Sequence, residues 1–248
     1  MVALEIFSNK VELGKAAAQK VADLFHKILK SKSRVRFISA TGASQFEFLK
    51  ALCNIPSIDW NKAIMFHLDE YVGLSEAHPA SFRKYLKERL IYKVHPREVY
   101  LIDGENSDLS QEIMRLNRLI SKEPIDVAFV GIGENGHLAF NDPPANFETE
   151  DPYIIVELNQ RCRQQQVGEG WFQTIEDVPK RAISMSIKQI LKSEYIICVC
   201  PDKRKAEAVK NCLSEDAEIS PMHPASILKT HPKAFCYLDK DSAALLNL

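Results

Sequence analysis

The chain has 248 residues, 46% apolar and 26% charged, and its 32 Lys and Arg against 33 Asp and Glu leave a net charge of −1. That size suits one large α/β domain or two small ones with an ample core. The even charge balance excludes broad attraction to nucleic acid or an anionic membrane, although a pocket for a small anion needs only a few cations.

No apolar run approaches the roughly 20 residues of a membrane span. The start, MVALEIFSNK, shows no basic segment followed by a long apolar one, so no secretory signal is expected. Six cysteines (53, 162, 198, 200, 212 and 236) are scattered, with no paired C-x-x-C to suggest zinc. Buried, reduced thiols in a cytoplasmic protein are the economical expectation.

Residues 11–30 place Leu13, Ala17, Val21, Leu24 and Ile28 on one helical stripe. The strand VRFISA (35–40) runs into the turn Thr41-Gly42-Ala43-Ser44 and a helix through about Leu52. AIMFHL (63–68) reads as a strand delivering Asp69-Glu70-Tyr71, and His78-Pro79-Ala80-Ser81 as the loop and cap of the helix FRKYLKERLIY. A short strand at 99–102, a helix at about 108–121 and a strand at 126–130 follow.

Beyond a glycine-rich turn, YIIVEL (153–158) and AISMSI (182–187) read as strands. The polar stretch RCRQQQVGEGWF between them shows no clear period. YIICVC (195–200), a helix at 203–213 and AFCYL (234–238) complete the chain. Strands alternating with helices predict a single doubly wound, mostly parallel sheet with helices on both faces. One domain over 1–248 is expected, with 159–178 as a lid over the strand ends.

The segment Asp126 to Pro144, DVAFVGIGENGHLAFNDPP, is the most informative. Val127, Phe129 and Val130 favour a strand, Gly131 and Gly133 end it, and Asn135, His137 and Asp142 follow within eight positions. Strand ends of this kind are where open α/β sheets bind ligands. Gly131, Gly133 and Gly136 also spell G-x-G-x-x-G, but that fingerprint needs a helix opening on the third glycine, and Pro143 and Pro144 leave room for hardly one turn. A dinucleotide cofactor is therefore not expected.

Thr41–Ser44 follows a strand and opens a helix, so backbone donors, two hydroxyls and the helix dipole together can cradle an anion. Lys203, Arg204 and Lys205 lie at another helix start, where cations are disfavoured unless an anion is near. One of Asp69 and Glu70 can serve as a base. His137 with Asp142 has the form of an acid/base pair. His67, Asp69, His137 and Asp142 fit no familiar metal-ligand set, and no metal is expected.

The segments FHLDEYVGL (66–74), HPASF (78–82), GIGENGHLAFNDP (131–143), KAEAV (205–209) and PASIL (224–228) resemble the glucosamine-6-phosphate deaminases, in the same order along nearly the whole chain. The related 6-phosphogluconolactonases look similar at the glycine turn, but they usually carry Arg where Tyr71 stands and Asn where Phe82 stands. The resemblance implies a reaction without metal or coenzyme that converts glucosamine 6-phosphate and water to fructose 6-phosphate and ammonia. Carried onto this chain, it gives Asp69 as the base at C2. His137 becomes the ring-opening group, helped by Asn135 and Asp142. Thr41, Gly42, Ala43, Ser44 and Lys205 become phosphate holders, with Glu70 also at the substrate.

Three departures stand out. Asp142 replaces the usual Glu, withdrawing the carboxylate by about one C–C bond, ~1.5 Å. The lid arginine that grips phosphate falls on Gln166, with Arg161 or Arg163 as substitutes. Nothing near 152–155 matches the basic allosteric site of hexameric members, so a non-allosteric monomer or homodimer is expected. A galactosamine 6-phosphate deaminase, a lactonase and a non-catalytic sugar-phosphate sensor are the alternatives. The sensor has no appended DNA-binding segment to support it.

Overall fold

Buried β-branched and aromatic runs punctuated by capped helices set the order of elements. The computed structural model describes residues 2–246, so residues 1, 247 and 248 of the expected 1–248 domain lie outside it. The chain runs β1 (Ala3–Phe7), α1 (Lys10–Leu29), β2 (Val35–Ser39), α2 (Phe46–Cys53), β3 (Ala63–His67), β4 (Asp69–Tyr71), α3 (Phe82–Leu86), α4 (Tyr92–Val94) and β5 (Glu98–Tyr100). It continues through α5 (Leu109–Ile120), β6 (Val127–Val130), β7 (Tyr153–Glu157), α6 (Gln160–Gly168), β8 (Arg181–Met185), α7 (Ile187–Leu191), β9 (Tyr195–Cys200), α8 (Ala206–Leu213) and β10 (Ala234–Asp239). The α1 start is fixed by Asn9, whose side-chain oxygen accepts from the N–H groups of Val11 and Glu12 at 3.0 Å. A π-type turn at 87–91 joins α3 to α4.

Seven strands form one sheet in the order β1-β10-β9-β6-β2-β3-β5, and every pair in it is parallel. A parallel sheet must be covered on both faces, because its helical crossovers lie there. Side-chain alternation shows this directly. Val127 and Phe129 of β6 join Phe25, Phe37, Phe48 and Trp60 in one apolar layer, while Ala128 and Val130 join Leu116, Ile120 and Val209 in the other. In β9, Ile197 and Val199 face the first layer, and Ile196, Cys198 and Cys200 the second. The buried cysteines are free thiols, as the sequence suggests.

The strand order reverses between β2 and β6. From β2 the chain builds outward through β3 and β5, and from β6 it builds the other way through β9 and β10. Such a reversal opens a crevice at the carboxyl ends of the two strands. No helix occurs between 131 and 152, so the glycine motif lacks the helix that a dinucleotide fingerprint requires.

Two features depart from the sequence reading. The strands near 153–158 and 182–187 form, but they leave the parallel sheet. β8 pairs antiparallel with β7 on one side and β4 on the other in a separate three-stranded sheet, with Asp69 opposite Ser184. The edge strand β1, half-exposed along its length, is an addition to the expected set. Among the described residues no helix is long and apolar enough to cross a membrane.

Candidate active site

Four strands of the parallel sheet deliver their carboxyl ends to one cleft of about 550 Å³, a volume that includes the solvent at its mouth. After β2 comes Thr41–Ser44, in which Gly42 has φ +94°, a conformation that side chains disfavour, and a short 3-10 turn at Ala43–Gln45 leads into α2. The Tyr85 hydroxyl pins this turn by donating to the Gly42 carbonyl at 2.9 Å. Asp69 enters from the end of β3, His137 from the turn after β6, and Lys205 from the loop after β9. All three line the same cleft as Thr41–Ser44. The sequence reading depends on this convergence, and the fold supplies it.

The turn after β6 is held rigidly. The His137 backbone N–H donates to Asn135 Oδ1 at 3.1 Å, and Gly133 N–H donates to the His137 carbonyl at 3.0 Å. Further along, Phe140 N–H donates to Ser184 Oγ at 3.0 Å, and the Asn141 amide donates to the Leu138 and Met185 carbonyls at 2.8 Å each, fastening the turn to β8. A Cβ on Gly133 would lie 2.2–2.3 Å from three atoms of the His137 ring, so the imidazole occupies space that only glycine leaves open.

His137 Nδ1 is buried and stands 3.3 Å from Asp142 Oδ1 without the alignment of a hydrogen bond, leaving Nε2 as the nitrogen that faces a bound molecule. Asp142 sits behind the imidazole rather than on the cleft wall. Burial works to raise its carboxyl, but His137, the Asn135 amide and the Asn159 N–H outweigh it and hold it below the usual carboxylate range. The Asn135 and Asn159 contacts are 2.9 Å each. Asp69 behaves in the opposite sense. Burial first, and the neighbouring Glu70 charge second, push it up to about 8. Among the described residues no hydrogen bond reaches its carboxylate.

Glu70 is not at the cleft, which corrects the expectation that it contacts substrate. Adjacent strand residues point to opposite faces, and with Asp69 facing the cleft Glu70 is driven into the interior. There its fully buried carboxylate accepts from the N–H groups of Tyr71 (2.9 Å), Phe82 (3.2 Å) and Arg83 (2.7 Å) and from Ser81 Oγ at 3.2 Å. The Arg83 guanidinium lies 3.5 Å away. Glu70 is a structural clamp between β4 and α3.

The polar stretch expected to be an aperiodic lid contains a helix, α6, capped by Asn159, whose side chain accepts from Cys162 N–H at 2.8 Å. It brings Gln165, Gln166 and Glu169 to the cleft. Gln165 Oε1 accepts from Glu134 N–H at 2.9 Å, tying the helix to the glycine turn. Neither substitute arginine lines this cleft. Arg161 faces an adjacent depression shared with Asn135 and Arg204, and Arg163 donates to the Ile175 carbonyl. Lys205 is 4% exposed, with its ammonium 3.9 Å from the Glu169 carboxylate. Lys203 and Arg204 do not line the cleft. Glu169 had no signal in the sequence beyond its place in the polar stretch.

Of His67, Asp69, His137 and Asp142, only Asp69 and His137 line the cleft. His67 is fully buried, accepts from Ile102 N–H at 3.4 Å, and is held neutral by burial and by the Arg83 charge, at about 3.

Comparison with known proteins shows the family. Residues 8–236 match the family described as glucosamine-6-phosphate isomerases/6-phosphogluconolactonase, and the chain belongs to that family. A glucosamine-6-phosphate deaminase of Oenococcus oeni is 34% identical over 98% of both chains. One from Listeria monocytogenes is 32% identical, covering 93% of this chain and 96% of its own. Among solved structures, a monomeric glucosamine-6-phosphate deaminase superposes with a TM-score of 0.88 at 30% identity, covering 98% of this chain and all of that one. A 6-phosphogluconolactonase from Thermotoga maritima reaches 0.79 at 16% identity, covering 97% of this chain and all of its own, and shares the fold.

Two outcomes follow from these contacts. Gly133→Ala displaces the His137 ring, and a misplacement of about 1 Å costs on the order of 10²-fold in turnover; steady-state kinetics should show that loss while the melting temperature moves little. Glu70→Ala leaves the buried N–H groups of Tyr71, Phe82 and Arg83 without an acceptor, while the Arg83 guanidinium keeps Asp103 and Glu105, and at roughly 1–3 kcal/mol per orphaned donor it should destabilise the fold by about 3–5 kcal/mol, measured by urea unfolding.

Proposed function

We propose that this protein is a glucosamine-6-phosphate deaminase, acting on glucosamine 6-phosphate and water to give fructose 6-phosphate and ammonia. The observation that carries the reading is the meeting of Asp69 and His137 in one cleft beside the Thr41–Ser44 turn and Lys205. The deaminase relatives, near one-third identical over nearly the whole chain, support the same chemistry.

The sugar phosphate is anchored by Thr41–Ser44 and Lys205. This remote binding energy places C2 over the Asp69 carboxylate. His137 Nε2 passes the proton needed to open the pyranose, and Asp142 orients the ring from behind with Asn135 bracing both. In the free aldehyde form the C2 proton is acidic enough for a carboxylate to remove. Asp69 takes it, giving a C1–C2 enolamine, and returns a proton to C1. The resulting C2 imine adds water, and the carbinolamine expels ammonia to leave the ketose. We assign the enzyme a monomeric or dimeric state, which its likeness to a solved monomeric deaminase supports.

A lactonase would use His137 to activate water and would leave C2 untouched. Deuterium uptake from heavy water into the hexose separates the two readings. Purified protein should release ammonia and form fructose 6-phosphate from glucosamine 6-phosphate, and Asp69→Asn should lose at least about 10³-fold, a base contribution at the middle of the usual range. No ammonia from glucosamine, galactosamine or mannosamine 6-phosphate would remove the assignment.

Because the base must be ionised, kcat/KM should rise with pH through Asp69's titration, whose midpoint in the free site is about 8. The same shift has a stability consequence. Between the ordinary value of 3.8 and about 8 the native carboxyl keeps a proton that the unfolded chain releases, so native stability falls as pH rises through that window. Asp69→Asn, which carries no such ionisation, should therefore melt higher than the parent at pH 7 in a calorimetric scan.

A further inference from the structure

Behind the imidazole, the described residues add to His137 and Asp142 a third donor, the Cys162 thiol, that the proposed reaction does not use. His137 Nδ1, a carboxylate oxygen of Asp142 and the Sγ of Cys162 all lie within 4.8 Å of one another. Cys162 is fully buried on α6 beside Asp142, and Nδ1 is buried without a hydrogen-bond partner in a residue only 9% exposed. The site thus holds an unsatisfied nitrogen aimed at a carboxylate and a thiol, on the side of the imidazole away from the cleft.

We propose that these three residues form an inhibitory site for a thiophilic divalent cation, with zinc the best fit. One nitrogen, one oxygen and one sulfur donor suit a borderline-soft ion with no geometric preference of its own. Bond lengths of about 2.0–2.3 Å to such ligands put neighbouring donors roughly 3.5 Å apart. The His137–Asp142 separation of 3.3 Å already meets that spacing, and Cys162, within 4.8 Å of both, needs to close by no more than about 1 Å. The outer contacts are also in place, since Asn135 and Asn159 N–H hold the carboxylate at 2.9 Å each. On binding, the thiol proton leaves to solvent, the thiolate, imidazole and carboxylate each donate a pair to the ion, and a fourth position is left to water. No electron is transferred.

The consequence follows from position. The ion takes Asp142 from His137 and staples α6 to the glycine turn, while the sugar cavity in front of the ring stays open. Zinc should therefore lower kcat at micromolar concentration with little change in KM, and a chelator should restore activity. The inhibition arm rests on the role proposed for His137; the binding arm does not.

The test uses zinc chloride against turnover, and cobalt(II) as an optical probe of the substrate-free enzyme. In the parent protein cobalt should give a thiolate charge-transfer band, which Cys162→Ala abolishes. The same variant should weaken zinc inhibition at least tenfold relative to its own uninhibited rate. Cys162→Ser, nearly isosteric with a poorer ligand, guards against misfolding, and Cys53→Ser, at the one half-exposed thiol among the described cysteines, should leave both readouts intact. Absence of the band in the parent, equal zinc sensitivity in the Cys162 variants, or inhibition competitive with substrate would each overturn the site.

Discussion

Everything at the cleft follows from the reversal of strand order between β2 and β6. A parallel sheet sends every chain crossing over one face or the other, and where the direction of winding changes the two neighbouring crossovers diverge. Only there can the carboxyl ends of β2, β3, β6 and β9 all open into the same space. Each end contributes a different chemistry: backbone and hydroxyl donors after β2, a carboxylate after β3, an imidazole after β6 and an ammonium after β9. The sheet core behind them is buried on both faces, which fixes these ends relative to one another and lets a small anionic sugar meet prepositioned groups.

Within that frame, two aspartates are driven in opposite directions by their surroundings. Asp69 is buried with the Glu70 charge beside it and no donor on its carboxylate, and it is raised to about 8. Asp142 is also largely buried, but a side-chain amide, a backbone N–H and the imidazole all favour its ionised form. Environments that split two like groups this way suit them to the two roles proposed above, one exchanging protons while the other keeps its charge and steadies a neighbour. Glu70 completes the arrangement, since the buried clamp that holds β4 to α3 also places a second carboxylate next to Asp69.

Much of this was legible in the residues. The strand at 126–130, the glycine turn and the helix stripe from Leu13 to Ile28 announce themselves through periodicity and backbone freedom. What the sequence concealed was decided by long-range pairing. Residues 153–157 and 181–185 read as strands, but nothing local states that they pair with 69–71 in a second sheet. The edge strand β1 alternates exposed and half-buried positions and so lacks the apolar run of its central neighbours. Helix α6 eluded the pattern because QRCRQQQVG offers only Cys162 and Val167 as apolar positions. The Asp69-Glu70 pair looked like two site carboxylates, although strand alternation allows only one of them to face the cleft.

The shortened carboxylate at 142 acquires a physical account from that unexpected helix. A Glu, the residue the resemblance leads one to expect, could cross the gap to the imidazole with its extra methylene. Asp142 instead stands 3.3 Å from Nδ1 and is held by donors on two sides, Asn135 from its own turn and the Asn159 N–H from the entrance to α6. A carboxylate braced this way depends on α6 being in place, and α6 is itself joined to the glycine turn through Gln165 and Glu134. The helix that carries Gln165, Gln166 and Glu169 into the cleft thus also positions the group behind the imidazole. Asp142 thus links α6 to the proposed ring-opening histidine through the Asn159 N–H hydrogen bond, by a side chain one methylene shorter than expected.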